Sequence, residues 1–197
     1  MRSTIRRAGP RNGNALVLLV VIGLVVALFR LHVFEPSKPL HDANVIGCDG
    51  RPAHLSGAQA ELLRLHNEAR KEHGLGTFCA SEQLMAAATA HSKDMLDRGY
   101  YDHVAPDGDT PEQRVQATGY SYSSMAENIH RRSLSYAAEP TQEDLELVFE
   151  DWMDSSGHRA NVLNPDLHQI GIGAAFGHYG TEVETSGLYT VDFGTLQ

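Results

Sequence analysis

Three short polar clusters hold the side chains with chemistry to offer. They are Tyr100-Tyr101-Asp102-His103-Val104-Ala105-Pro106-Asp107-Gly108, Ala126-Glu127-Asn128-Ile129 and Trp152-Met153-Asp154-Ser155-Ser156-Gly157-His158-Arg159. Each supplies a histidine or an acid from a loop or an expected helix end, where rigid scaffolds present binding groups. Imidazole and carboxylate exchange protons near neutral pH and ligate divalent metals. No one cluster has a metal-motif spacing: H-E-x-x-H is absent, as are G-x-S-x-G, the P-loop and G-x-G-x-x-G. Ser92, Ser155 and Ser156 lack the strand-turn-helix setting of a nucleophile. Asp107-Gly108-Asp109 lacks the further acids of a calcium loop and reads as a tight turn.

Positioning these clusters requires elements, and helices come first along the chain. Ser56 is a helix cap, and Leu62, Leu65, His66 and Ala69 recur at helical spacing up to Gly74. Ser81 opens a second helix with Leu84, Ala87, Ala88, His91 and Met95 on its buried stripe, closed by Gly99. Thr110-Pro111-Glu112 starts a short helix ending at Gly119, and Thr141 or Pro140 starts a fourth with Leu145, Val148, Trp152 and Met153 inward. A further turn follows Gly157 and stops at Asn164-Pro165. The chain then changes character. Ile170–Phe176 and Leu188–Phe193 have the β-branched and aromatic content of strands, and His178–Gly187 is the loop of an antiparallel hairpin. Helices followed by an antiparallel sheet imply an α+β domain. In it, Asn67 and Arg70 are expected to fix helix ends, and His91 to be structural.

The 197-residue chain is 42% apolar, enough for a packed core, with a net charge of -9. The charge is uneven: Arg2, Arg6, Arg7, Arg11 and Arg30 lie in the first 34 residues, which contain no acid. The rest is therefore more acidic still, a poor match for a phosphate backbone, and nucleic acid is excluded as a partner. Residues 1–14 read as a basic cytoplasmic tail. Residues 15–34, built on the uncharged run Ala15–Phe29, read as a signal-anchor transmembrane helix with its arginine-rich end in the cytoplasm. A cleaved signal peptide is the alternative, which would make the protein secreted. Either reading puts the body outside the cytoplasm. Residues 35–54, with Pro36, Pro39, Gly47, Gly50 and Pro52, read as an extended linker, and 55–197 as the domain. In an oxidising compartment Cys48 and Cys79 are expected to form a disulfide, with two unpaired thiols as the alternative.

The order of the clusters carries a resemblance. The residues are Leu65-His66-Asn67-Glu68-Ala69-Arg70 with Gly74-Leu75, then Ala90-His91-Ser92-Lys93-Asp94-Met95, then Asp102-His103 with Pro106-Asp107-Gly108. After them come Arg114 to Gly119-Tyr120, Glu127-Asn128-Ile129, Trp152-Met153, Ser156-Gly157-His158-Arg159-Ala160-Asn161-Val162-Leu163, and Gly171-Ile172-Gly173. Over about residues 57–195 the chain resembles the CAP superfamily: cysteine-rich secretory proteins, antigen 5 and plant pathogenesis-related class 1 proteins. It looks most like the bacterial exported members. The resemblance implies an α-β-α sandwich with a central antiparallel sheet. It also implies a cleft lined by two histidines and two acids, here His103, His158 and Glu127, the last following Ala126 where the family signature has Gly. For the second acid the nearest residues are Asp154 and Glu150. Such a set suits a divalent metal, zinc above all, on His103 and His158, or a hydrogen-bonded network without metal. The expected function is a membrane-anchored, non-catalytic binding module for an envelope lipid, glycan or protein partner. The alternative is a metal-dependent hydrolase acting on peptides or cell-wall material through the same cleft.

Overall fold

The computed structural model describes residues 39–134 and 137–197. The expected tail, the anchor helix 15–34 and the start of the linker lie outside the described residues. Among the described residues no helix is long and apolar enough to cross a membrane.

The helices form where their caps and apolar stripes place them. The first, α1, is Gly57–Glu72, and Ser56 and Gln59 close a reciprocal capping box at its start. Helix α2, Glu82–Arg98, runs from a Ser81 cap to Gly99, whose left-handed φ of 67° ends it. Helix α3, Pro111–Ala117, is capped by Thr110 with proline in its first turn. Helix α4, Gln142–Asp154, starts from a Thr141–Asp144 capping box, and α5, Ser156–Val162, follows directly.

The linker reading gives way at residue 43. Strands β1 (Ala43–Ile46) and β2 (Pro52–Leu55) form an antiparallel hairpin. A disulfide joins Cys48, in its turn, to Cys79 in β3 (Cys79–Ala80). Proline at the first position of β2 needs no ladder hydrogen bond, which is how a Pro-containing stretch is accommodated here. The crosslink contributes roughly 3–4 kcal/mol by the chain-entropy model.

The main sheet has the order β3-β5-β6-β4, with β4 at Tyr122–Ser133, β5 at Gln169–His178 and β6 at Thr185–Leu196. It is mixed, which corrects the all-antiparallel expectation: β3 runs parallel to β5. Two residues at the end of a helical connection are too few to announce a strand in sequence. Helices cover both faces. On one, Leu62, Leu63 and Ala69 of α1 and Leu145, Val148, Phe149 and Trp152 of α4 pack on Ile170, Ile172, Tyr189, Val191 and Phe193. Arg70 is buried there. Its guanidinium donates to the carbonyls of Gly76, Val162, Asn164 and Leu167 at 2.6–3.0 Å and stacks 3.9 Å from Phe78. Asn67 pairs with the Phe78 backbone in both directions. Both residues hold structure together, as expected.

Helix α2 covers the other face, closely enough that β5 must be bare beneath it. A Cβ on Gly171 would lie 2.0 Å from the Leu84 carbonyl carbon, and one on Gly173 would lie 2.1 Å from the Ala88 carbonyl oxygen. This contact fixes the height of α2 and so the place from which the Tyr100–Gly108 loop departs. Gly173→Ala must lift the helix, because the obstacle is backbone rather than a movable side chain. The expected cost is about 3 kcal/mol or more in urea denaturation. A cost under about 1 kcal/mol would show that the helix is not pressed against the strand.

Candidate functional site

Glu127 is the pivot. It lies in the middle of β4, at the edge of the sheet, not in a loop as its neighbours in sequence suggest. Strand alternation sends its side chain to the α2 face and that of Asn128 to the other. The Glu127 side chain is only 3% exposed. Burying a carboxylate is costly unless its oxygens are satisfied. His103 Nδ1 donates to Oε1 at 2.7 Å, and Arg114 Nη2 donates to Oε2 at 2.8 Å. Arg114 also donates to the backbone carbonyls of Asp109 and His103 at 3.0 and 2.9 Å. One guanidinium thus pins the loop to the strand. The short helix α3, set by its Thr110 cap, holds the arginine in place.

A second acid sits directly across the ladder. Asp192 of β6 pairs with Glu127 in register and is buried. Burial first, then the Glu127 charge, raise its pKa well above the usual carboxylate range, so it is held protonated. Its Oδ1 has no partner among the described residues. Asp154 does not join the set. It is exposed at the end of α4, and no hydrogen bond or ion pair links it to His103, Glu127 or His158 among the described residues. Glu150 is exposed as well. The acid paired with Glu127 across the ladder comes from β6, not from the segment around Trp152.

His158 occupies the other side of β4. It is the third residue of α5, and its carbonyl accepts from Asn128 Nδ2 at 3.1 Å. Asn161 Nδ2 in turn donates to Asn128 Oδ1 at 2.8 Å. The two histidines flank the edge strand from opposite faces and still sense each other. The His158 pKa is lowered by burial and then by His103. The His103 pKa is raised, chiefly by its hydrogen bond to Glu127, and the ring is about half exposed at 46%. A raised imidazole pKa stabilises the fold fully below the unfolded value of about 6.5. That contribution fades as pH climbs through the folded value.

Three participants were not visible in the sequence reading. Arg114 opens one of the stretches that carry the resemblance, but nothing there marks it as the partner of Glu127. Asp192 gave one: an acid between Val191 and Phe193 in an apolar strand. His130 is half-buried on the Asn128 face against Trp152 and Tyr189. Its pKa is lowered by burial, and His158 adds to that. His91 is structural as expected, buried with Nε2 donating to the Asp102 carbonyl at 3.1 Å. Ser92 is buried and donates to Thr190 Oγ1 at 2.9 Å, away from either histidine of the rim.

The donor set does not fit a three-ligand zinc centre. Both Glu127 oxygens are engaged, one by a guanidinium that repels a cation, leaving His103 Nε2 and His158 as free ligands. Among the described residues no three His, Cys, Asp or Glu side chains group as metal ligands. What the arrangement offers is an imidazole oriented through Nδ1, a second imidazole across the edge strand with its pKa lowered, and a buried charge pair holding the first in place. Removing Arg114 leaves the buried carboxylate beside a second acid and without its guanidinium. Arg114→Ala is therefore expected to cost about 3–5 kcal/mol at neutral pH in urea denaturation, with part recovered by adding Glu127→Gln. Equal stability of Arg114→Ala and wild type would remove the pair from this account.

The family model for the cysteine-rich secretory protein family, CAP, matches residues 63–193. YkwD of Bacillus subtilis is 32% identical over 142 residues, 72% of this chain and 49% of YkwD. The membrane protein YlbC of the same organism is 27% identical, over 62% of this chain and 33% of YlbC. The chain thus spans half or less of the length of these curated relatives. Among solved structures, an extracellular SCP-domain protein of Bacillus anthracis is similar at TM-score 0.53 and 25% identity, over 74% of this chain and 46% of that one. The CAP domain of enterococcal PrgA matches at TM-score 0.53 and 19% identity, over 72% and 64%. This likeness extends to the fold. With its helix-covered sheet and the match over residues 63–193, the chain belongs to the cysteine-rich secretory protein (CAP) family.

Proposed function

We propose that the chain is an extracytoplasmic, non-catalytic binding module. Its rim of His103 and His158, with Glu127 beneath, takes up an envelope lipid, glycan or protein partner. In this reading residues 15–34 anchor it to the membrane and residues 39–197 project outside the cytoplasm. The Cys48–Cys79 disulfide supports an oxidising location. The observation that carries the reading is the engagement of both Glu127 oxygens by side chains of the same chain. Each of its oxygens accepts from a donor of the same chain, so its part in the site is to orient His103 and to carry the Arg114 charge pair. No Ser, Thr or Cys hydroxyl or thiol hydrogen-bonds to His103 among the described residues, so the set needed for covalent catalysis lacks its nucleophile.

One observation favours the second reading, a metal-dependent hydrolase. A histidine whose Nδ1 rests on a carboxylate presents Nε2 outward, as an oriented base does. A single set of proteins separates the two. The full chain in mild detergent, wild type against Asp154→Ala and the His103→Ala/His158→Ala pair, is tested for retention of three probes: vesicles of envelope lipid, purified cell-wall glycan, and detergent-extracted envelope protein. The binding reading expects one probe to be held by wild type and Asp154→Ala and at least tenfold less by the double variant, with zinc well below one equivalent by elemental analysis. Stoichiometric zinc lost in the double variant, together with histidine-dependent release of fragments from the cell-wall probe, would overturn it in favour of the hydrolase.

A further inference from the structure

Strand β4 is an edge strand, and its outward backbone rail lies between the two histidines. The direction of each backbone group follows from two hydrogen bonds. Leu134 N–H donates to Thr185 O at 2.9 Å, and His168 N–H donates to Gly194 O at 3.1 Å. Odd-numbered residues of β6 therefore face β4, and even-numbered ones face β5. By register, Met125, Glu127 and Ile129 of β4 oppose Gly194, Asp192 and Thr190. Their N–H and C=O groups consequently point away from the sheet.

Part of that rail is capped from within. Ile129 O accepts from Trp152 Nε1 at 3.0 Å and from Tyr101 Oη at 3.1 Å. Glu127 O has only a long contact from Asn161 Nδ2 at 3.5 Å. Among the described residues the outward N–H of Glu127 and both outward groups of Met125 have no partner within the chain. An open C=O at Met125 and an open N–H at Glu127, two residues on, are the pair that one residue of an added parallel strand would fill. Met125 and Ala126 are half-exposed, so the approach is not closed. Long open edges are ordinarily blunted, and this one is blunted at Ile129 but not at Met125.

We propose that the Met125–Glu127 stretch of the β4 edge receives an extended peptide segment by strand addition, with an acidic side chain of that segment set against His103. The proposal rests on the binding-module reading and names its ligand class. Backbone pairing supplies affinity, and side chains alternating to the two faces meet His103 on one side and the His158 rim on the other. Charge supports the acidic residue. The 2.7 Å ion-pair contact of His103 with Glu127 and the Arg114 guanidinium behind it are the cationic groups at this edge. A lipid tail or a glycan has no repeating donor and acceptor at the two-residue spacing of the rail.

The test selects a linear heptapeptide display library on the immobilised full chain in mild detergent. It then scans the best synthetic peptide with single backbone N-methyl groups. Each methyl removes one donor and its space, so those on amides facing β4 are expected to weaken binding about tenfold and those on the intervening amides less than twofold. Saturating peptide should slow exchange of the Glu127 amide at least tenfold. The proposal is overturned by a flat methyl scan, by no peptide enriched over a Met125→Pro control, or by a Glu127 amide already protected without peptide. The scan leaves the protein untouched, so it decides even if Met125→Pro fails to fold. Histidine-dependent capture of an envelope probe with a flat scan would sink strand addition alone. An alternating scan indifferent to His103→Ala/His158→Ala would support strand addition and sink the histidine rim.

Discussion

A carboxylate removed from water must be satisfied on both oxygens, and the arrangement around Glu127 follows from that constraint. His103 and Arg114 supply the two donors, and each comes from a different part of the chain. The loop after α2 must return across the sheet to bring the histidine. Helix α3 must be short and firmly capped to bring the arginine. Arg114 Nη1 and Nη2 also donate to carbonyls of that loop, so the charge pair and the loop conformation stand or fall together. Asp192 sharpens the constraint. Two acids opposed on neighbouring strands cannot both ionise in a buried place, so one stays protonated and the other keeps the counter-charge.

The edge position of β4 gives this hub its reach. An interior strand would have both of its hydrogen-bonding sides filled. At the edge, one side chain can reach down to the α2 layer while its neighbour reaches the α5 layer. Glu127 orients His103 by a direct bond, and Asn128 fixes His158 through its main-chain carbonyl. Two histidines remote in sequence thereby flank one strand, one with a raised pKa and the other with a lowered one. The close approach of α2 to Gly171 and Gly173 sets the layer spacing on which this depends.

Much of the helical framework was legible in the sequence because capping is local. Ser56, Ser81, Thr110, Thr141 and Gly99 each mark a boundary within a residue or so of the observed one. The strands were legible where they are apolar and continuous, as at Ile170–Phe176. Strand β4 was not, because Glu127, Asn128, His130, Arg131 and Arg132 look like a polar loop. Their burial comes from partners that only the fold supplies. The hairpin at 43–55 was hidden by its prolines and glycines, and the parallel pairing of β3 by its brevity. At the site, the resemblance brought forward His103, Glu127 and His158, whose mutual placement the structure describes. It included Arg114 at the head of a matching stretch without its role and offered no route to Asp192; both roles depend on register and salt bridging across the sheet.

The most direct test of the hub is the titration of the His103 ring followed by NMR in the full chain. If Glu127 orients and charges this imidazole, its midpoint lies above the ordinary value of about 6.5, and Glu127→Gln brings it down. The His158 midpoint stays below that value in the wild type. A His103 midpoint at or below the ordinary value, unmoved by Glu127→Gln, would contradict the account.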